Sequence, residues 1–416
     1  MASTQDLSPR RELWLLMTLA GVQFTHILDF MIMMPLGPQF TALFGISDAQ
    51  FGLLVSAYTL SAGLSGLLAS TYVDRFGRKR LLLSLYVLFG LATLACGLAP
   101  TYGALMVARI AAGMFGGVLS ALCQTIVADV IPFERRGRAM GIIMTAFSVS
   151  TVAGVPLGLF LAAHLRWHAP FIGIALLCAM LATAAALTMP VLDTHLRQPD
   201  RPSALRGIAT VVRDPNHLKA FALAGLMMFS GFTIIPYITI FLQANVGVKA
   251  EDIPYVYLVG GGATLFTARW FGRVTDRVGK VVTFRRLVGV AIVPLVGLTL
   301  LGPLPLGVVL IVSTLFFVFQ SGRMIPGMAI LTSAVKPQLR GTYMTLLSSV
   351  QSAGMGLAAL VGGQLISRDA QGHVLHYWVA ALVGAMAGLT AIWLVGKITL
   401  HGAVAKPMVG GADAKT

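Results

Sequence analysis

A chain of 416 residues that is 57% hydrophobic and only 11% charged, with a mean hydropathy of +0.84, does not cover itself with charge as soluble domains do, which carry about 25% charged residues. Its solvent is lipid, and that excludes an ordinary soluble enzyme. The net charge of +15 suggests nucleic acid, but the basic residues are scattered between apolar segments and form no basic domain, so no nucleic-acid partner is expected.

A spanning helix needs about 20 apolar residues, and twelve stretches qualify. They run approximately over 12–36, 47–71, 80–99, 102–126, 139–163, 168–190, 217–243, 252–272, 284–302, 304–330, 340–366 and 374–397. The first run is too long for a signal-peptide core and is expected to remain as the first helix. Connections are short except 191–216, which is polar, holds Pro199, Pro202 and Pro215, and divides the chain six plus six. The expected organisation is a bundle over 1–190, a cytoplasmic linker over 191–216, and a second bundle over 217–416 with a short cytoplasmic tail.

Orientation follows from lysine and arginine, which collect in cytoplasmic loops. With both termini cytoplasmic, 24 of the 30 basic residues fall in inner segments, and only Arg166, Lys249 and Arg368 fall in outer ones. Arg109, Arg269 and Arg323 remain within helices. Such alternation over every crossing supports twelve spans. Trp14, Trp167 and Trp378 sit near the expected interfaces, where tryptophan anchors.

The basic turn Asp74-Arg75-Phe76-Gly77-Arg78-Lys79 recurs within Gly272–Lys280 as Asp276-Arg277-Val278-Gly279-Lys280, a shift of 202 residues. Two further echoes follow in the same order. Ala108–Met114 resembles Gly322–Met328, which sets Arg109 opposite Arg323, and Arg136-Gly137 matches Arg340-Gly341. A duplication of that period in so apolar a chain points to an all-α membrane protein of two pseudo-symmetric six-helix bundles.

On these motifs the chain resembles the major facilitator superfamily of transporters over its whole length. That family's loop signature reads Gly-x-x-x-Asp-Arg-x-Gly-Arg-Lys; the second copy keeps Gly272, and the first has Ser70 in its place. The Arg-x-x-x-Gly pattern of the family's fourth helix is matched by Arg109 and Gly113, followed by Gly116 and Gly117. Gly154-Val-Pro156-Leu-Gly158 resembles the glycine–proline motif of the twelve-helix proton-coupled drug antiporter branch. The resemblance implies alternating access around a midplane cavity, no cofactor, and a proton-coupling role for Arg109.

Asp29 is the most informative single residue, in Thr25-His26-Ile27-Leu28-Asp29 at the middle of the first helix. A carboxylate at that depth costs about 2.5–3.5 kcal/mol on insertion scales, so it should face the interior, be paired, or spend time protonated. Desolvation and a nearby cation move a carboxylate's proton affinity in opposite directions, so a site alternating between them can load and release a proton. His26 shares its helical face and is a candidate to share that proton. A structural ion pair between Asp29 and Arg109 is the plainer alternative, compatible with coupling if the pair breaks during transport. Arg323 has no evident carboxylate on its neighbouring helices. It is a candidate anion site, a cation solvated by carbonyls and water, or a partner of Asp29 across the cavity.

The Asp74–Lys79 turn is read as a latch: Asp74 would cap the cytoplasmic start of the eleventh helix, and Arg78 would pair with Asp129, the acid that matches the family's usual partner. Lys280 meets no equivalent acid in Leu331–Leu339, so the second latch is weaker. Gln124, Tyr237, Gln243 and Gln351 join Asp29 and Arg323 as candidate substrate contacts. Gly113, Gly154, Pro156, Gly158 and Gly354 are expected to let helices pack closely and slide. Cys96, Cys123 and Cys178 have no metal-like spacing and are read as core residues. His164 and His168 flank a helix break without a neighbouring glutamate, so no metal is expected. No phosphate-binding loop occurs, which argues against an ATP-driven pump.

The expectation is a monomeric bacterial inner-membrane protein that exchanges protons for a small organic compound, with no enzymatic activity. Proton-coupled uptake or facilitated diffusion is the first alternative. A lipid mover or membrane sensor built on the same frame is the second.

Overall fold

The computed structural model describes residues 9–131, 135–190, 192, 204–336 and 339–401. The tail beyond 401 and most of 191–203 lie outside the described residues, as does the side chain of Asp74. The chain is helical almost throughout, and prolines decide where its spans break. The first span is α1 (Pro9–Ile32) followed, after a turn over 33–36, by α2 (Gly37–Phe44). Pro35 has no N–H to give the carbonyl one turn back and excludes the helical conformation before it, which ends α1. Gly45 closes α2 at φ 60°, a left-handed conformation that glycine adopts freely. α3 (Asp48–Tyr72) begins at a capping box in which Ser47 and Gln50 satisfy each other's backbone N–H.

α4 (Arg78–Gly97) and α5 (Tyr102–Val130) are unbroken. The fifth span is α6 (Arg136–Val149), a π-helical turn over Ser150–Gly154, and α7 (Val155–His164). That wider turn sits where Pro156 removes a backbone donor. α8 (His168–Thr188) completes the first half.

The linker contains a short helix, α9 (Ala204–Val212), packed against neighbouring spans, where the composition suggested only a polar connection. The seventh span is α10 (Pro215–Phe232), a 3-10 turn over Ile235–Tyr237 at Pro236, α11 (Ile238–Phe241), and a π turn over Leu242–Val246 that ends at Gly247. α12 (Ile253–Val278) and α13 (Lys280–Thr299) follow. The tenth span divides into α14 (Leu306–Gly322) and α15 (Met324–Ser333), because Pro326 cannot bond the carbonyl of Gly322. α16 (Arg340–Leu365), a two-residue hairpin of β1 (Ser367–Arg368) with β2 (Val374–Leu375), and α17 (Tyr377–Val395) close the chain.

Eleven spans among the described residues are apolar enough to cross a membrane by length and composition. The twelfth is α12, whose glycines, tyrosines and Arg269 dilute its hydropathy. Its 26 residues still reach about 39 Å at 1.5 Å per residue. Leu187 and Phe266, 81% and 82% exposed, would be a liability in water at about 25 cal/mol per Å²; facing lipid they cost nothing.

The first six spans meet the last six mainly along α3 and α16, and again where α7 packs on α12. Ser56 donates to the Gly356 carbonyl at 2.6 Å across the first of these seams. Gly354 rests against α10: a Cβ there would come within 2.8 Å of the Gly225 carbonyl oxygen. No side chain larger than hydrogen fits without moving a backbone.

Candidate functional site

Asp29 lies near the end of α1, and Arg109 is the eighth residue of α5. Arg109 Nη1 donates to Asp29 Oδ2 at 3.0 Å and to the Asp29 backbone carbonyl at 3.2 Å. Both side chains are wholly shielded. The guanidinium carbon sits 4.2 Å from the centre of the Tyr58 ring on α3, so a cation–π contact adds to the ion pair. Gly113, one turn further along α5, makes that approach possible. A Cβ on it would meet the Tyr58 carbonyl oxygen and Ser61 Oγ at 2.3 Å.

The pair is incompletely satisfied. Asp29 Oδ1, Arg109 Nε and Nη2, and Thr93 Oγ1 are buried without a hydrogen-bond partner among the described residues. A carboxylate with one oxygen free can take a proton there before it leaves its arginine. His26 makes no bond to Asp29: both its ring nitrogens are buried without partners, and its ring presses on Gly116, where a Cβ would lie 2.4 Å from Cδ2. A turn below, Gln23 Nε2 donates to Ser120 Oγ at 3.1 Å.

The sequence echo that set Arg109 opposite Arg323 does not hold in three dimensions. Arg323 follows seventeen residues of α14, whereas seven precede Arg109 in α5. The difference of ten residues is about 15 Å of helix rise. By depth the counterpart of Arg109 is Ser313, buried with its hydroxyl unbonded. Short glycine-rich motifs align easily in sequence, and helix starts fix depth. Arg323 is 3% exposed; its Nη2 donates to the Met227 carbonyl on α10 at 2.9 Å and its Nε has no partner among the described residues. It does not pair with Asp29.

Tyr237, a candidate substrate contact, is instead a strut of the end remote from the linker. It is fully buried, its hydroxyl donates to the Ala359 carbonyl, and it fills the space left by Gly52 and Gly363. Its polar group is spent within the protein. Gln243 lines a cavity of about 530 Å³ at the same end, with Thr41, Asp48, Ser367 and Arg368. Gln351 donates to the Met328 sulfur at 3.4 Å, and Gln124 is exposed on α5. These candidates therefore do not converge on one point.

An inter-half contact with no signal in the motifs closes that remote end. Arg368 on β1 grips Asp48 at the start of α3 through two bonds of 2.8 and 2.6 Å. Asn245 holds the hairpin through the Val374 backbone at 2.9 and 2.8 Å. Arg368 was visible in sequence only as one of three basic residues in outer segments. The bond to Asp48 raises its pKa further above the ordinary arginine value.

At the linker end, Arg78 Nε donates to Asp129 Oδ2 at 2.8 Å and Nη1 to the Val73 carbonyl at 3.1 Å. Lys79 departs from the latch reading: its ammonium binds the Ala186 and Met189 carbonyls, capping the end of α8. In the second copy Lys280 Nζ donates to Ser333 Oγ at 2.8 Å. Ser333 occupies the depth that Asp129 holds in α5. Gly77 and Gly279 start α4 and α13, and Gly279 has φ 97°. Arg75, Asp276 and Arg277 are exposed, and the proposed cap by Asp74 lies outside the described side chains.

The small residues of the fifth span pack on α1. A Cβ on Gly154 would lie 2.9 Å from a Leu28 methyl, and one on Gly158 would lie 2.6 Å from an Ile32 methyl. Pro156 is buried between them. Among the described residues no group of three or more His, Cys, Asp or Glu side chains is placed to hold a metal ion.

The Major Facilitator Superfamily model matches residues 19–322. Two curated relatives from Bacillus subtilis (strain 168) match nearly end to end. One is the uncharacterized MFS-type transporter YceJ, 25% identical over 93% of this chain and 95% of that protein. The other is the uncharacterized MFS-type transporter YbcL, 24% identical over 92% and 95%. A bacterial homolog of the human lysosomal transporter Spinster, solved inward-facing and occupied, superposes with a TM-score of 0.73 at 16% identity, covering 94% of this chain and 97% of that one. A variant of the nucleoside transporter NupG gives a TM-score of 0.73 at 13% identity, over 93% and 99%. At these identities the two structures speak for the fold alone.

Proposed function

Since this chain belongs to the major facilitator superfamily and is a membrane transporter, we propose that it works as a proton-driven exchanger that exports a small organic compound. The observation that carries this reading is the fully buried Asp29–Arg109 pair with Asp29 Oδ1 left free. In the proposed cycle Asp29 takes a proton when the cavity faces outward. Its bond to Arg109 then weakens, and Asp29 releases the proton when the cavity faces the cytoplasm. Each proton moved down one pH unit supplies about 1.4 kcal/mol, enough to hold a tenfold substrate gradient. Residues 1–190 and 217–416 would rock as two bodies about the α3–α16 and α7–α12 seams.

In this reading the linker end is cytoplasmic, with Arg78, Asp129 and Asp74 as its latch, and the Asp48–Arg368 clasp belongs to the outer gate. The positive-inside distribution of lysine and arginine supports that orientation. A bacterial inner membrane suits it, given the bacterial relatives.

The test is the purified chain in liposomes loaded with a pH-sensitive dye, wild type against Asp29→Asn, across cationic, neutral and anionic solutes. Proton movement that depends on one solute, runs opposite to it, and vanishes in Asp29→Asn is the expected result. Proton and solute moving together would assign uptake. Solute flux without protons, equally fast in the mutant, would sink the coupling role of Asp29.

A further inference from the structure

Arg109 has its counter-charge within its own half; among the described residues Arg323 has none. We infer that Arg323 binds the anionic group of the transported molecule, making the substrate an amphipathic organic anion with a carboxylate or phosphate headgroup. This rests on the transporter reading above but not on proton coupling.

Three observations carry it. First, Arg323 is 3% exposed and has no carboxylate in ion-pair contact among the described residues, and its one bond of 2.9 Å goes to a backbone carbonyl. A permanently charged guanidinium in that setting is under-compensated, and an intramembrane ionisable group of this kind marks a substrate pathway by default. Second, its side-chain surroundings hold converging donors together with one open acceptor, Gln320 Oε1, which is also buried without a partner among the described residues. A Cβ on Gly231 of α10 would lie 3.2 Å from Arg323 Nη2 and 3.3 Å from Gln320 Nε2, so both donors converge on one bare patch of backbone. Buried donor groups go unpaired here: Arg323 Nε has no partner among the described residues. An oxyanion is the ligand that satisfies the donors, and arginine binds one through two parallel bonds. Third, the break between α14 and α15 falls at Gly322–Arg323, and discontinuous helices near the bilayer centre are where transporters of this architecture hold ligand groups. The Asp29–Arg109 pair is neutral as a unit, so it leaves the charge of Arg323 to the substrate.

The test uses the full chain in detergent, with benzoate and phenyl phosphate as anionic probes and benzamide and benzyl alcohol as neutral ones of similar shape. The wild-type thermal midpoint should rise with either anion and stay put with the neutral pair. Arg323→Gln should abolish that response while its ligand-free midpoint holds or rises by about 2–4 °C, since an uncompensated buried charge is removed. Arg323→Lys should keep a weaker, non-bidentate response. The midpoints read anion binding without any proton movement, so their failure leaves the coupling reading to the liposome assay, which separates the two. A wild type that responds to neither anion, or equally to benzamide, overturns the proposal. So does an Arg323→Gln protein that keeps the anion response, or one whose ligand-free midpoint falls as far as that of Arg109→Gln.

Discussion

In the first half an arginine inside the bilayer has its acid 3.0 Å away, whereas in the second half Arg323, a buried arginine at another depth, bonds through its side chain only a backbone carbonyl among the described residues. The same contrast repeats at the linker end, where Arg78 meets the Asp129 carboxylate and Lys280 meets the Ser333 hydroxyl. Among the described residues, then, Arg109 and Arg78 each meet an acid within the first half, whereas Arg323 and Lys280 meet neutral acceptors within the second.

The sharpest way to break this contrast is to unbalance the first half. Arg109→Gln leaves Asp29 buried without its cation, at an expected cost of about 3–5 kcal/mol in stability. The double variant Asp29→Asn/Arg109→Gln removes both charges and should recover most of that loss while staying inactive in proton exchange. Thermal midpoints of the two proteins check it, and a double variant as unstable as the single one would remove the ion pair from the account.

The latches can be exchanged. Asp129→Ser turns the first into a copy of the second, and the loss of a charge-assisted bond to a nearly buried Arg78 should cost about 1.5–3 kcal/mol. Ser333→Asp does the converse, giving Lys280 an acid within the second half, and is expected to raise stability there. Thermal midpoints measure both, and equal losses from Asp129→Ser and from Ser333→Ala would mean the asymmetry is decorative.

Close approach can be separated from charge. Gly113→Ala drives a methyl group into the Tyr58 backbone, and should cost about 1–3 kcal/mol as overpacking together with the seating of Tyr58 on Arg109. Gly262→Ala meets nothing within 4 Å and should be neutral or stabilise by up to about 1 kcal/mol through helix propensity. Thermal midpoints of the pair decide whether the α3–α5 seam is as tight as described.

The spans and their repeat were legible because lipid imposes a pattern, apolar runs of fixed length with basic residues alternating across them, that needs no tertiary information. Asp29, Arg109 and Arg323 were equally legible, since charge at membrane depth is rare enough to stand out. The Asp29–Arg109 pair was named from the sequence and is present at 3.0 Å; the correspondence of the two arginines was less legible. Depth is set by where a helix starts, and the starts of α5 and α14 show that Arg109 and Arg323 are not counterparts, which motif matching hid. Tyr58 gave no signal, because an aromatic in an apolar helix looks like any other core residue. Tyr237 gave a false one: its hydroxyl suggested a substrate contact, and only the fold shows it spent on Ala359. Asp48 and Arg368 are 320 residues apart, and nothing local to either predicts their meeting.

That clasp is where the smallest effect is expected, and it tests whether the remote end works independently of the proton site. The Arg368 side chain is 37% exposed, so solvent screening limits the pair to about 1 kcal/mol. Arg368→Gln should thus shift the balance between states closed and open at that end by about fivefold, read from distances between spin labels on the two halves. The Asp369 carboxylate of the hairpin should ignore mild acid. Partial desolvation pushes Asp369 upward, but hydrogen bonds from His373 and Gln371 outweigh it and hold its carboxyl below the usual carboxylate range. With a depressed native pKa, its contribution is complete above the ordinary carboxylate value of about 3.9 and is lost only as pH falls beneath it. Between pH 5 and 7, with the hairpin imidazoles removed as His373→Gln and His376→Gln, the balance between states read from the labels in Arg368→Gln should therefore differ from that of its Arg368 parent by a constant factor. A difference that grows toward pH 5 would tie the clasp to a titrating group and join the two ends that the geometry keeps apart.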